Sequence, residues 1–188
     1  MGHAAKHSDG TMAAIIVFDQ EKIDSILSTI EGVEIANYNS PVQFVISGTT
    51  NSVQKACDAL KEAGAKRVVP LPVSGAFHSP LMNSAVAPFT EFLNTCSFSD
   101  ATTPIILNRL ATAQTSAELL KQNLSYQIES SVKWISSIET MAQMTSSFIE
   151  VGPGRVLSGL IKKINRELNV QATSTVEALD QIKITVEA

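Results

Sequence analysis

Between Thr11 and Pro72 the hydrophobic pattern changes period in an order that few folds accommodate. "TMAAIIVF" (11–18) is an apolar, bounded run and predicts a strand. "DQEKIDSILSTI" follows, with Asp19 as N-cap and Ile23, Ile26, Leu27 and Ile30 at helical spacing. Two strands then come in direct succession, "GVEIANYN", ended by "NSP" at 39–41, and "VQFVISG", closed by Gly48. A second helix, "TNSVQKACDALKEAG", aligns Val53, Ala56, Cys57 and Leu60 and carries Gly64 at its C-terminal cap. "AKRVVPLPV" is the fourth strand. Strand–helix–strand–strand–helix–strand is the split βαβ, or ferredoxin-like, order, with an antiparallel sheet and both helices on one face.

Beyond residue 72 the character changes. A helix is expected from Ser79-Pro80, where proline suits the first turn. It turns Leu81, Ala85, Phe89, Phe92, Leu93 and Cys96 inward, with Pro88 kinking or loosening it. "TPIILN" predicts a short buried strand, and "SAELLKQNLSYQI" and "SSVKWISSIETMAQM" two helices. "SSFIEVG" predicts a strand, "PGRVLSGLIKKINREL" a glycine turn into a helix, and "VQATSTV" a last strand. Alternation of helix and strand implies parallel pairing with helical crossovers. With so few strands, this half reads as part of a larger α/β domain. The resulting partition is a polar tail over 1–10, a small α+β subdomain over 11–72 and an incomplete α/β subdomain over 73–188.

Composition narrows the function. A net charge of −4, with no basic stripe carrying interleaved aromatics, argues against nucleic acid. No apolar run approaches the ~20 residues that span a bilayer, and "MGHAAKHSDG" lacks the apolar centre of a secretory signal. Cys57 and Cys96 read as free thiols in a reducing, cytoplasmic compartment. Three histidines and no Cys/His cluster give no zinc-ligand spacing, so no metal is expected.

Of those histidines, His3 and His7 fall in the tail, and His78 stands in "PLPVSGAFHSPLM" between an extended run and a proline-started helix. A histidine there is either a catalytic base on a rigid strand end or the filler of a corner. As a base it would take a proton from a hydroxyl nucleophile and return it to a departing thiol.

The segments "MAAII", "NYNSPVQFVISG", "AGAKRVVPLPVSGAFHSPLM", "VKW" and "EVGPGRVLSGL", in this order and spacing, resemble the malonyl-CoA:acyl-carrier-protein transacylase family, which includes the acyltransferase domains of fatty-acid and polyketide synthases. The resemblance implies a ferredoxin-like subdomain inserted in an α/β-hydrolase-like one, of which this chain carries the C-terminal part. It implies ping-pong transfer of malonyl from coenzyme A to carrier-protein phosphopantetheine through a malonyl-serine ester, in fatty-acid biosynthesis, with no cofactor beyond the substrate. His78 matches the family's catalytic histidine. Gln127, placed by the following "VKW", matches the residue whose backbone carbonyl holds the histidine's other ring nitrogen; the alternative is an ordinary helix-end glutamine. Phe77 of "GAFH" matches the residue that crowds the substrate α-carbon in malonyl-selective members, and reads otherwise as core. Asn39 and Asn108 match cleft positions, or serve as a turn residue and a strand-end amide. The glycines of "VGPGRVLSGL" could hold an anion at a helix start, although a turn and packing role is favoured. Lys162, Lys163 and Arg166, with Lys66-Arg67, either steer an acidic carrier protein or are solvated faces.

The departures matter as much. The sequence has no G-x-S-x-G elbow, no G-Q-G segment and no arginine ahead of "MGHAAK". About the first third of the family's length is expected to lie outside it. The isolated polypeptide is therefore expected to be inactive, with two alternatives: a non-catalytic carrier-binding module, or half of a split enzyme. A bare sheet edge also predicts self-association.

Overall fold

The computed structural model describes residues 2–6, 8–180 and 182. It is mixed α/β and divides into two compact units, 1–137 and 138–188.

In the first unit, β1 (Gly10–Ile16), β2 (Val33–Ser40), β3 (Gln43–Thr49) and β4 (Arg67–Pro70) form one sheet in the order β2-β3-β1-β4. Every neighbouring pair is antiparallel. The period-2 pattern sends Ala13, Ile15, Ile35, Phe44 and Ile46 to one face, where they meet α2 (Gln20–Leu27) and α3 (Thr50–Glu62). Asp19 caps α2 by accepting from the Lys22 N–H, and Thr49 caps α3 by accepting from the Ser52 N–H. Ile23 and Leu60 of these helices are fully buried against the strands. The Tyr38 ring meets Phe44 edge-on at 6.1 Å between centroids.

The β2–β3 hairpin turns on Pro41 and Val42. Neither has a positive φ, so the turn lacks the twist-matched primed geometry. The register slips between Tyr38 and Ser40, and again between Ile35 and Asn37, so Asn39 and Ala36 are the extra residues of two β-bulges.

The opposite sheet face carries Met12, Ala14, Ala36 and Val45. Here the structure departs from the polar tail expected at 1–10. Residues Gly2–Lys6 form α1, and Ala4 and Ala5 are buried against Met82 and Ile128. His7 lies outside the described residues.

The helix expected from Ser79 is two elements, a 3-10 helix over Pro80–Ala85 and α4 over Val86–Thr95. Pro88 falls in the first turn of α4, where its missing N–H has no intrahelical partner to lose, so the break precedes it. Phe92, expected to point inward, is 61% exposed. "TPIILN" contributes only β5 (Ile105–Ile106), which pairs antiparallel with an unforeseen β6 (Ala113–Gln114). Helix α5 spans Ala117–Gln127, capped by Ser116. Helix α6, Trp134–Ala142, crosses the unit boundary.

In the second unit β7 (Ser147–Glu150) and β8 (Asn169–Ala172) pair in parallel through α7 (Val156–Ile164), a βαβ crossover. Helix α8 (Val176–Asp180) follows. No helix among the described residues is long and apolar enough to cross a membrane.

Candidate active site around His78

The chain leaves β4 along β1, the Leu71 N–H donating to Met12 O at 2.9 Å. It then turns under α1. Gly75 and Ala76 are buried there, and only a glycine fits at 75, because a Cβ would sit 2.9 Å from Ala5 Cα. Phe77 enters the apolar clusters on both sides of this loop, which fixes its ring.

His78 follows with φ at 57°, in the left-handed region that few non-glycine residues adopt. Ser79, also buried, closes the turn by donating its hydroxyl to Ala76 O at 2.7 Å. Pro80 then starts the 3-10 helix, and the Met82 N–H donates to Ser79 O. Backbone strain of this kind persists only where surrounding packing over-determines it. Here it does: Met82 is fully buried on one side and Ala76 on the other.

The half-buried imidazole reaches the C-terminal end of α5, where Nδ1 lies 3.1 Å from Gln127 O. The last carbonyls of a helix have no intrahelical donors and are free to accept from outside. A carbonyl only accepts, so Nδ1 carries a proton, and in the neutral ring this tautomer leaves the lone pair on Nε2. The Gln127 side chain folds back, Nε2 donating to Ser130 O at 3.1 Å.

The segment after α5 is stitched to the small sheet. The Ser131 hydroxyl donates to Ile35 O at 2.7 Å, the Val132 N–H to Ala36 O at 2.8 Å, and the Tyr38 N–H to Val132 O at 3.0 Å. The β2 bulge at Ala36 thus becomes a docking point, and Asn37 bridges in parallel to Val132. The Lys133 N–H donates to Asn108 O at 2.9 Å. No periodicity announces these links, because each involves one or two residues of irregular chain.

Curated relatives match along nearly the whole chain. A malonyl CoA-acyl carrier protein transacylase of Bacillus subtilis is 42% identical over 185 residues, covering 96% of this chain and 58% of its own. One from Staphylococcus aureus is 40% identical over 182 residues, with 94% and 59% covered. The solved malonyl-CoA:ACP transacylase of Synechocystis aligns at a TM-score of 0.88 and 37% identity, covering 97% of this chain and 60% of that one. A malonyl-transacylase solved in complex with a type II polyketide acyl-carrier protein aligns at 0.89 and 34%, with 95% and 60% covered. Over its own length the chain is similar to the malonyl-CoA:acyl-carrier-protein transacylases. It spans about three-fifths of their length. No family model matches the sequence.

Set against the transacylase expectations, the remaining residues fall unevenly. Asn39 sits half-buried at the hairpin bulge, in a position that re-aims a side chain. Asn108, expected at the end of a buried strand, is exposed in a turn two residues past β5, and its backbone holds Lys133. The glycine turn at 152–154 has positive φ at both glycines, but the α7 N-terminus is already occupied. The Glu150 carboxylate accepts the Ser158 hydroxyl and the Ser158 and Leu157 N–H groups, the latter two at 2.7 and 3.0 Å. The Ser158 hydroxyl, with these backbone donors, holds that carboxyl below its ordinary value. A helix end filled by its own chain's carboxylate offers no place for an anion. Sequence reasoning missed Arg109, which donates to the buried Asn123 Oδ1 at 3.0 Å and lies over the Tyr126 ring, bracing α5 from the Asn108 turn.

Proposed function

We propose that this chain carries the base half of a ping-pong malonyl transfer site. The observation behind the reading is the hydrogen bond between His78 Nδ1 and Gln127 O, made by a histidine held at positive φ. In this scheme a serine Oγ attacks the thioester carbonyl of malonyl-CoA while its proton passes to His78 Nε2. The tetrahedral intermediate breaks its C–S bond, and the imidazolium returns the proton to the coenzyme A thiolate. A carrier-protein phosphopantetheine thiol then reverses the sequence. Gln127 O replaces the aspartate of a Ser-His-Asp triad as a neutral orienting acceptor. No cofactor is needed. With no G-x-S-x-G in the sequence, the serine comes from outside these 188 residues.

Phe77 is the proposed selectivity wall, its ring wedged between two clusters beside His78, where a methyl-branched substrate loses about 1–3 kcal/mol. Asn39 and Asn108 are proposed to line the same cleft. The sheet order β2-β3-β1-β4 supports a ferredoxin-like subdomain over 11–72, with 73–188 belonging to the acyltransferase subdomain. Lys66 and Arg67, both exposed at edge strand β4, are suited to an acidic carrier protein, and the free thiols Cys57 and Cys96 to the cytoplasm.

Intact-mass analysis after incubation with malonyl-CoA is expected to show no added malonyl; an ester on this chain alone would overturn the missing-nucleophile reading. When a polypeptide bearing the serine elbow is added, transfer is expected, and His78→Ala lowers it by about 10²–10⁴. Transfer undiminished in that variant removes His78 from the chemistry. The absent elbow together with the exposed Lys66-Arg67 pair favours a second reading, a carrier-binding module without chemistry. Salt-sensitive carrier binding with no turnover after complementation would select it.

A further inference from the structure

A cavity of about 230 Å³ opens where the first residues of β2 and the last of β3 meet the Ser79–Leu81 turn. Glu34 and Ser47 are cross-strand partners in it, on the sheet face opposite the one that carries Ile35 and Ile46. Ser47 is fully buried, yet its hydroxyl has no hydrogen-bond partner. Buried polar side chains are almost always paired, so this orphan calls for an occupant. Glu34 is half-buried, and among the described residues no ion pair answers its charge. Burial pushes its carboxyl up from its ordinary value, as expected for a carboxylate short of both water and a counter-ion.

The walls define the rest of the ligand. Val33, Pro80 and Leu81 give an apolar lining beside the two polar groups, suited to an alkyl stem. The volume far exceeds one water's share of roughly 30 Å³. It is below the ~300–1,000 Å³ of drug-sized sites. A single carboxylate with one hydroxyl is too few hard ligands for a divalent cation, and it repels anions.

We propose that this cavity binds an alkylguanidinium or alkylammonium head, with Glu34 as its counter-ion, Ser47 Oγ as its neutral acceptor and the stem against Val33, Pro80 and Leu81. The site is independent of the His78 chemistry. The same head can come from a free small cation or from an arginine or lysine side chain of another polypeptide.

Amide NMR of the whole chain titrated with ethylguanidinium, and separately with a capped tripeptide centred on arginine, tests this. Saturable millimolar shifts are expected at Gly32, Gly48 and Leu81, weakened about tenfold in Glu34→Gln and more modestly in Ser47→Ala. Tighter binding of the tripeptide identifies a polypeptide as the source, and tighter binding of ethylguanidinium a free cation. Shifts that stay linear, or that survive unchanged in both variants, overturn the proposal.

Discussion

Adding one methyl at Gly75 tests the platform that holds His78. A Cβ at that position would stand well inside van der Waals distance of Ala5 Cβ and 2.9 Å from Ala5 Cα, while Met82 Cε at 3.7 Å is at ordinary separation. Carbon pairs prefer about 3.5–4.0 Å, so Gly75→Ala cannot be absorbed by a side-chain rotation; backbone must move. Two responses compete. If α1 stays and the loop shifts, overpacking costs about 1–3 kcal/mol. If α1 peels away, the buried methyls of Ala4 and Ala5 return to water at about 0.8 kcal/mol each, and Met82 and Ile128 lose their cover. The cheaper response sets the cost, so the loss of global stability stays within about 3 kcal/mol. Urea unfolding followed by the fluorescence of Trp134, the only tryptophan, measures that loss. Limited trypsin digestion with mass analysis measures release of α1 as faster cleavage after Lys6. Adding Ala5→Gly should restore stability only in part, because the clash with the Ala5 backbone remains. Wild-type stability together with wild-type cleavage in Gly75→Ala would refute the close-packing argument, as would strict additivity of the two changes.

Phe44→Ala empties the centre of the sheet–helix core, where Phe44 is 1% exposed, and is expected to lower unfolding free energy by about 3–5 kcal/mol; a loss under about 1 kcal/mol in urea melts would contradict that packing. Glu150 titrates below the ordinary 4.5 in the folded state because of its Ser158 and backbone donors, so its contribution is complete above that value and fades as pH falls through the folded pKa. Glu150→Gln should flatten the acid limb of a stability-against-pH curve, and an unchanged limb would count against the cap.

His78 itself shows the division between what is local and what is not. "GAFHSP" marks a turn with a histidine in it, but its acceptor lies 49 residues away on a carbonyl that any residue type could offer. A hydrogen bond to backbone leaves no composition to read. The resemblance around "VKW" points to Gln127, and the structure puts its oxygen 3.1 Å from Nδ1.

By itself the sequence determined the strand–helix–strand–strand–helix–strand order from Gly10 to Pro70 and the later succession of α5, α6, β7, α7 and β8. It did so because periods of 2 and 3.6 are local consequences of burying one face, and Asp19 marks its own helix start. It also determined that no G-x-S-x-G is present. Tertiary structure alone decided the rest. Helix α1 exists because Ala4 and Ala5 find Met82, and five residues are too few for a periodic signal. The bulges at Ala36 and Asn39 follow from an unprimed turn and from docking of Val132. The left-handed backbone at His78 and the orphaned Ser47 hydroxyl depend on packing from distant segments, which no local pattern encodes.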